Sequence, residues 1–531
     1  MPSDYISFKD TNYFSNLICD YLDRSENLNG FYNRFPMLDN FKFQIEEKSK
    51  SYHLKNRLVL HNVLKSQSKN TDISEKTALN IDLLKFDNTF TVTTGHQLNL
   101  FTGPLYFLYK IISTINLTQQ LKEHYPEYNF VPVYWMATED HDFEEINYFN
   151  FEGKKVQWNK YASGAVGRLS TQGLDQVFEA FSAQLDKSFH AEKIKNIFKK
   201  AYLEHDNLAE ATQYLANVLF GDLGLVIIDA DHKDLKELFI PYLKNDILEH
   251  KAQKQVEQTD SKLDAFGYKT QVNPREINLF YLRKNYRERI VVSKDGYKTH
   301  DSNYKWTQSE ILSELENHPD RFSPNVIVRP LYQEVILPNL CYIGGGGELA
   351  YWLQLKSYFK TEDATFPILL LRNSVLLISS KQKQKLEKLD LTYLDIFKKQ
   401  NLLINQYVKK ISKINIDFSE QKEHLKNQFK ALYKIAEKTD QSFLGAVSAQ
   451  ERKQIKGLEN LEKRLLKAQK RRLKDITERI TNLQNQVFPN QSLQERQANI
   501  SELYLKYGEQ LIQQLVLNLQ PLKSEFLILE L

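Results

Sequence analysis

At 531 residues, with 41% hydrophobic and 26% charged positions, the chain has material for about two or three domains with sizeable cores. Its net charge of +4 does not define a nucleic-acid binder, and no stretch approaches the roughly 18 apolar residues of a membrane span. Two cysteines, Cys19 and Cys341, exclude a disulfide framework and a cysteine-rich zinc site.

The opening MPSDYISFKD lacks the basic and apolar regions of a signal peptide, so the cytoplasm is the expected compartment. Residues 1–88 are expected to be mainly helical, from the spacing of Ile18, Tyr21 and Leu22 and of Val59, Leu60, Val63 and Leu64. The organising stretch follows. Phe90–Thr94 is a β-branched run that predicts a buried strand, and it empties into Gly95-His96-Gln97. A helix is expected from Pro104, with Thr102 as a capping candidate. Strand, polar turn and helix in that order predict free backbone N–H groups for an anionic ligand; an ordinary βα loop fits the same residues.

Val131–Met136 predicts a second buried strand, ending at Glu139-Asp140-His141-Asp142. Such a cluster at a strand's carboxyl end fits an acid–base pair, a divalent-metal site or a helix cap. A hairpin is expected over 151–168, helices to 220, and a strand over 223–229 running into Asp231-His232. Residues 266–300 read as a small inserted β element. Val326–Val328 and Val335–Leu337 are short buried runs flanking Arg329, and Gly344–Gly347 precedes a helix opened by Glu348. No Lys-Ser/Thr follows those glycines, so this is not a P-loop. Phe366–Ile378 predicts one buried strand with Arg372-Asn373-Ser374 at its middle. From Lys381 to Val487 near-heptad spacing predicts an antiparallel coiled coil with its tip at Gly445–Gln450. Residues 381–490 carry 25 Lys and Arg against 13 Asp and Glu, which reads as a solvated helical face. A helix over 493–517 and a closing strand over 525–531 complete the chain. The domains expected are a core over 1–380, with insertions near 150–220 and 240–320, an arm over 381–490 and a returning segment over 491–531.

The segments TTGHQLNLFTGPLYFLYK, PVYWMATEDHDFEEIN, RPLYQEVILPNLCYIGGGGELAYW, PILLLRNS and LQERQANISELYLKYGEQLI resemble the cysteine-adding enzymes of bacillithiol biosynthesis, the cysteine ligase family. The resemblance spans nearly the whole chain, with the motifs in family order. His96 stands where many members carry glutamine, and Gly346 where many carry proline. It implies an α/β, Rossmann-like, nucleotidyltransferase-type core with connecting-peptide insertions, plus a C-terminal antiparallel coiled coil supporting a homodimer. It also implies joining of cysteine to glucosaminyl-malate, through a cysteine carboxylate activated by ATP. On that reading Asp140, His141 and Asp142 are catalytic. His96, Gln97, Thr102, Gly103, Glu139, Arg329, Gly345, Glu348, Arg372 and Asn373 bind substrate. Thr94 and Gly95 contact ATP or ADP, and a further nucleotide position falls near Gln494, Arg496 and Tyr507. No metal, nucleic-acid or membrane partner is expected. Rival readings are a metal-dependent hydrolase built on Asp140-His141-Asp142 and Asp231-His232, which repeats the acid–imidazole theme, and a non-catalytic coiled-coil ligand-binding protein.

Overall fold

The computed structural model describes residues 3–531, and the chain forms two compact units. One comprises Met1–Leu377 with Gln494–Leu529, the other Ile378–Leu493 with Glu530–Leu531. The first is organised around a five-stranded sheet whose adjacent pairs are all parallel. Its spatial order is Ile368–Leu371, Asn339–Gly344, Thr89–His96, Asn129–Met136, Val226–Asp229. Numbered along the chain, that is 5-4-1-2-3, the doubly wound arrangement in which the order reverses beside the first strand.

All eight residues of Thr89–His96 are buried, as a parallel strand covered on both faces requires. Phe41 and Ile45 of helix Leu38–Ser51 close one face against Val92, Leu340 and Ile368. The helix expected after the first strand runs over Tyr106–His124, with Leu105 rather than Thr102 at its cap and no side-chain cap bond. Between strand and helix, Phe101, Thr102 and Gly103 all have positive φ. A Cβ on Gly103 would sit 2.5 Å from Asn99 Cβ, so this position demands glycine.

Other boundaries moved for local reasons. The hairpin lies at Tyr148–Phe151 and Lys154–Gln157, turning at Glu152-Gly153. The two runs around Arg329 are not separate elements, since helix Arg329–Ile336 joins them with Pro330 in its first turn. Phe366–Ile378 is two strands, Ile368–Leu371 and Val375–Ile378, in different sheets and broken at Arg372–Ser374. The inserted β element is a five-stranded antiparallel sheet, its strands running from Leu279–Arg283 to Phe322–Pro324. Strand Phe526–Glu530 pairs antiparallel with Ser3–Ile6, a partner that nothing in the terminal sequence announced. The expected helix over 493–517 is three short helices, Gln494–Gln497, Ile500–Tyr507 and Gln510–Asn518.

The second unit is helical. Ser419–Ala436 runs antiparallel to Gln441–Arg472, joined across by Lys422–Glu462 (2.6 Å) and by Tyr433 Oη donating to Glu451 (2.8 Å). Phe429, Ala436 and Val447 form its core. The tip is 437–440, where Asp440 caps the second helix, and Gly445–Gln450 lies inside that helix. A Cβ at Gly445 would meet nothing, so packing does not demand glycine there, and it only weakens the helix locally. No helix among the described residues is long and apolar enough to cross a membrane.

Candidate active site

A cleft of about 920 Å³ opens at the carboxyl ends of the strands, where Thr89–His96 and Asn339–Gly344 diverge into their loops. This is the switch point at which open α/β sheets hold ligands. Its floor is a buried polar network. Lys110, 4% exposed, projects from helix Tyr106–His124, donates to Gly95 O (2.8 Å) and ion-pairs with Glu348. Glu348 also accepts from the Gly345 N–H (2.8 Å) and Tyr342 Oη (2.6 Å). Burial pushes this carboxyl up, but Lys110 and the Gly345 N–H outweigh it and hold it below its ordinary value. Burial in turn draws the Lys110 ammonium down, against Glu348.

The four glycines of the loop are not equivalent. A Cβ on Gly344 would lie 2.9 Å from Tyr342 Cε1, whereas one on Gly345 would meet nothing nearer than Glu348 Oε2 at 3.5 Å. Gly344 is therefore required by packing, and Gly345 lines open cleft. Arg372 Nε lies 3.8 Å from that Cβ position and is buried without a hydrogen-bond partner. His96 Nε2 is likewise buried and unpartnered. Burial, then the charges of Lys110 and Arg372, push its imidazole well below the ordinary value, so it is neutral. Arg329 donates to Tyr351 Oη (2.8 Å) on the same side.

The opposite wall carries the acidic cluster. Glu139 turns inward to a buried ion pair with Lys236. Asp140 accepts from Gln97 Nε2 (3.0 Å) and from the His141 N–H (2.7 Å). Burial raises this carboxyl, but bonds from His141 and Gln97 and the charge of Arg287 hold it well below the carboxylate range. Asp142, half exposed, is pushed up by burial and by Asp140. Ligand atoms of Asp140, His141 and Asp142 lie within 4.8 Å of one another, close enough for a divalent ion. The guanidinium of Arg287, however, stands 2.5 Å from His141 Nδ1 and occupies that nitrogen. No sequence pattern marked Arg287, which arrives on the inserted sheet. Lys110 carried a signal that could have found it, a lone cation inside the apolar run LYFLYKIIS.

Of the expected site residues, Gly95, His96, Gln97, Glu139–Asp142, Arg329, Gly345, Glu348, Arg372 and Arg496 line the cleft. Thr94 does not; its hydroxyl donates to Ile343 O beneath it. Thr102 and Gly103 do not, because the turn is latched away from the cleft. Its donors are spent, Phe101 N–H on Tyr202 Oη, Gly103 N–H on Leu100 O and Leu105 N–H on Ala498 O, while Asn499 Nδ2 caps Phe101 O and Gly103 O. The free donors expected of a phosphate cradle are absent from those three positions. Asn373 is structural, bonded to Ser113 and Gln520 O, and Gln494 bridges the backbone of Leu377. Tyr507 lines a separate cavity of about 370 Å³ with His190, Lys193 and Tyr504. His232 caps a helix through Nδ1 to the Asp234 N–H, and Asp231 takes Arg168 in a bidentate pair, so neither forms a second acid–imidazole site. Burial lifts the Cys341 thiol far above its ordinary value and leaves it inert.

Asp229 ends the third strand behind this wall, accepting from Thr138 Oγ1 (2.5 Å) and the Asp231 N–H (2.9 Å) through one oxygen. Burial, then Asp231, push its carboxyl up to about 6. A raised carboxyl favours the fold while protonated, so its contribution is complete below about pH 4 and is lost as the pH rises through about 6. Asp229→Asn keeps both bonds, and it should raise stability at neutral pH by about 2 kcal/mol with little effect at pH 4. Thermal melts of both proteins at the two pH values test this; an equal shift at both would remove the titration argument.

Fold and cleft together define a Rossmann-like α/β enzyme carrying a coiled-coil unit. The chain belongs to the bacillithiol biosynthesis BshC family: residues 1–373 match its N-terminal Rossmann-like domain and residues 375–531 its C-terminal coiled-coil domain. The protein named "Putative cysteine ligase BshC" of Christiangramia forsetii is 60% identical over 533 residues, covering 100% of this chain and 99% of that one. Its namesake from Flavobacterium johnsoniae is 58% identical over the full length of both, and that of Cytophaga hutchinsonii 37% over 97% of this chain and 96% of its own. The expected family and fold class are thereby borne out.

Proposed function

We propose that the cleft joins the carboxyl of cysteine to the amine of glucosaminyl-malate, with ATP activating the carboxyl. The observation that carries this reading is that one cleft offers both signs of charge in two clusters. Lys110, Arg329 and Arg372 gather with Glu348 around the glycine loop, and Asp140 and Asp142 with Arg287 around His141. Amide formation from a free acid and an amine must gather anions, carboxylate and phosphate, against an ammonium that is about to lose its proton. The unpartnered donor of Arg372 and the bare Gly345 beside it suit an anion's oxygens. In the step written out, a cysteine carboxylate oxygen attacks the α-phosphorus and pyrophosphate leaves. The amine then attacks the acyl carbon, AMP leaves, and the amine's proton passes to the acidic wall.

Purified protein given cysteine, glucosaminyl-malate and ATP should yield bacillithiol with equimolar AMP, read by mass spectrometry. ADP in place of AMP would redirect the chemistry to an acyl phosphate. His141→Ala should cost about a hundredfold in kcat with an unchanged circular dichroism spectrum. Full activity in that variant would take His141 out of the reaction.

A further inference from the structure

We infer that Arg287 is a positioning residue that fixes His141 as the neutral imidazole protonated at Nε2, so that His141 serves the cleft as a hydrogen-bond donor and not as the proton acceptor. The inference rests on the ligase reading of the cleft for its catalytic meaning, although its structural half stands without it.

Arg287 Nη1 lies 2.5 Å from His141 Nδ1. A guanidinium has donors only and does not deprotonate in a protein, so Nδ1 must offer its lone pair. A ring that accepts at Nδ1 carries its single proton at Nε2. No carboxylate displaces the arginine: Asp140 Oδ1 is 3.7 Å from Nδ1, and Asp142 Oδ1 is 3.8 Å from Nε2. The guanidinium is itself held. It stacks 3.7 Å over the Phe280 ring, which also tilts against His141. Its strand is pinned to the neighbour by the Leu282–Arg287 pair. Burial works against its charge and draws the guanidinium below its ordinary value, and Asp140, Glu139 and Asp142 around it offset part of that. The inserted sheet thus reaches back to set the tautomer of a residue 146 positions earlier in the chain.

The ammonium proton of the attacking amine then has Asp142 as its acceptor. Asp140 cannot easily serve, since Gln97 and the His141 N–H already occupy it. Asp142 is exposed, free of such bonds, and can return the proton to solvent.

Histidine labelled with ¹⁵N in the full-length protein reports the tautomer directly, with the His141 signal assigned by its loss in His141→Gln. At neutral pH the wild type should show a bare Nδ1 and a protonated Nε2, and Arg287→Lys should keep that pattern. Arg287→Met should mix the tautomers or charge the ring; if it fails to fold, the wild type and the lysine variant decide alone. A proton on Nδ1 in the wild type overturns the inference. In turnover, His141→Gln, whose amide donates where Nε2 did, should keep about a tenth of kcat, while His141→Ala and Asp142→Asn each lose about a hundredfold. Equal losses in His141→Gln and His141→Ala, both folded, would return the base role to the imidazole. A bare Nδ1 in a protein that makes no bacillithiol would overturn the ligase reading and leave the positioning intact.

Discussion

Glu495→Ala should destabilise the Rossmann-like unit by about 3–5 kcal/mol, because it strips the counter-charge from a buried guanidinium. Arg372 donates to both carboxylate oxygens of Glu495, at 3.0 and 2.8 Å, and the two side chains are 4% and 1% exposed. The same carboxylate takes the Ser374 hydroxyl (3.2 Å) and the Val375 N–H (3.2 Å). Glu495 therefore satisfies the backbone where the last strand of the parallel sheet breaks off and the chain restarts at Val375. Burial works against the charge of Arg372, and Glu495 is the first group holding it charged. In Glu495→Ala that charge stays buried without its ion-pair partner, and the more distant Glu348 does not replace it. The double variant Arg372→Met with Glu495→Leu leaves no stranded charge and should recover most of the lost stability. It should not recover turnover, since Arg372 lines the cleft. All four tryptophans, Trp135, Trp158, Trp306 and Trp352, lie in this unit, so urea melts followed by tryptophan fluorescence report it without the helical arm. A fall below about 1 kcal/mol would mean that the pair is solvated and anchors nothing.

The residues that could be read from the sequence are those whose neighbours along the chain are also their neighbours in space. The strand Thr89–His96 and the acidic run at 139–142 were legible because a buried β run ending in polar groups is a local pattern. The turn at 97–105 was misread for the opposite reason. Its donors look free in sequence, but Tyr202 takes the Phe101 N–H and Ala498 the Leu105 N–H, while Asn499 donates to the carbonyls of Phe101 and Gly103; the last two partners lie almost four hundred residues further on. Phe366–Ile378 is uniformly apolar on both sides of Arg372, so no periodicity marks where one sheet ends and another begins. The coiled-coil tip was placed at a glycine, but Asp440 ends the turn by capping, a stronger local signal than an exposed helical glycine. Arg287 was not legible at all: its meaning lies in the ring it touches from another sheet.

Lys110→Met should cost at least about a thousandfold in kcat/KM while leaving the protein folded, the largest functional effect expected of any single substitution here. Lys110 holds both loops of the switch point, Gly95 through its carbonyl and Gly345 through Glu348. Without the ammonium, Glu348 keeps its burial and loses the first of the groups that hold its proton affinity down. Its carboxyl then rises instead of falling, and the pH dependence of stability changes sign. In the wild type a depressed Glu348 stabilises the fold above its unfolded value, near pH 4.5, and that contribution is lost as the pH drops through the folded value. In Lys110→Met the raised carboxyl favours the fold only while protonated, so the variant should lose stability relative to wild type as the pH rises from about 5 to about 8. Adding Glu348→Gln to Lys110→Met removes the titrating group while its amide oxygen still accepts from Gly345 or Tyr342. The double variant should be flat across that range and still inactive. Thermal melts of the three proteins at four pH values separate the cases, and a Lys110→Met protein that melts in parallel with wild type would show that Glu348 never depended on the lysine. Retained turnover in the same protein would mean that the two loops hold their spacing without the bridge, and the floor of the cleft would have to be rebuilt around Arg329 and Arg372.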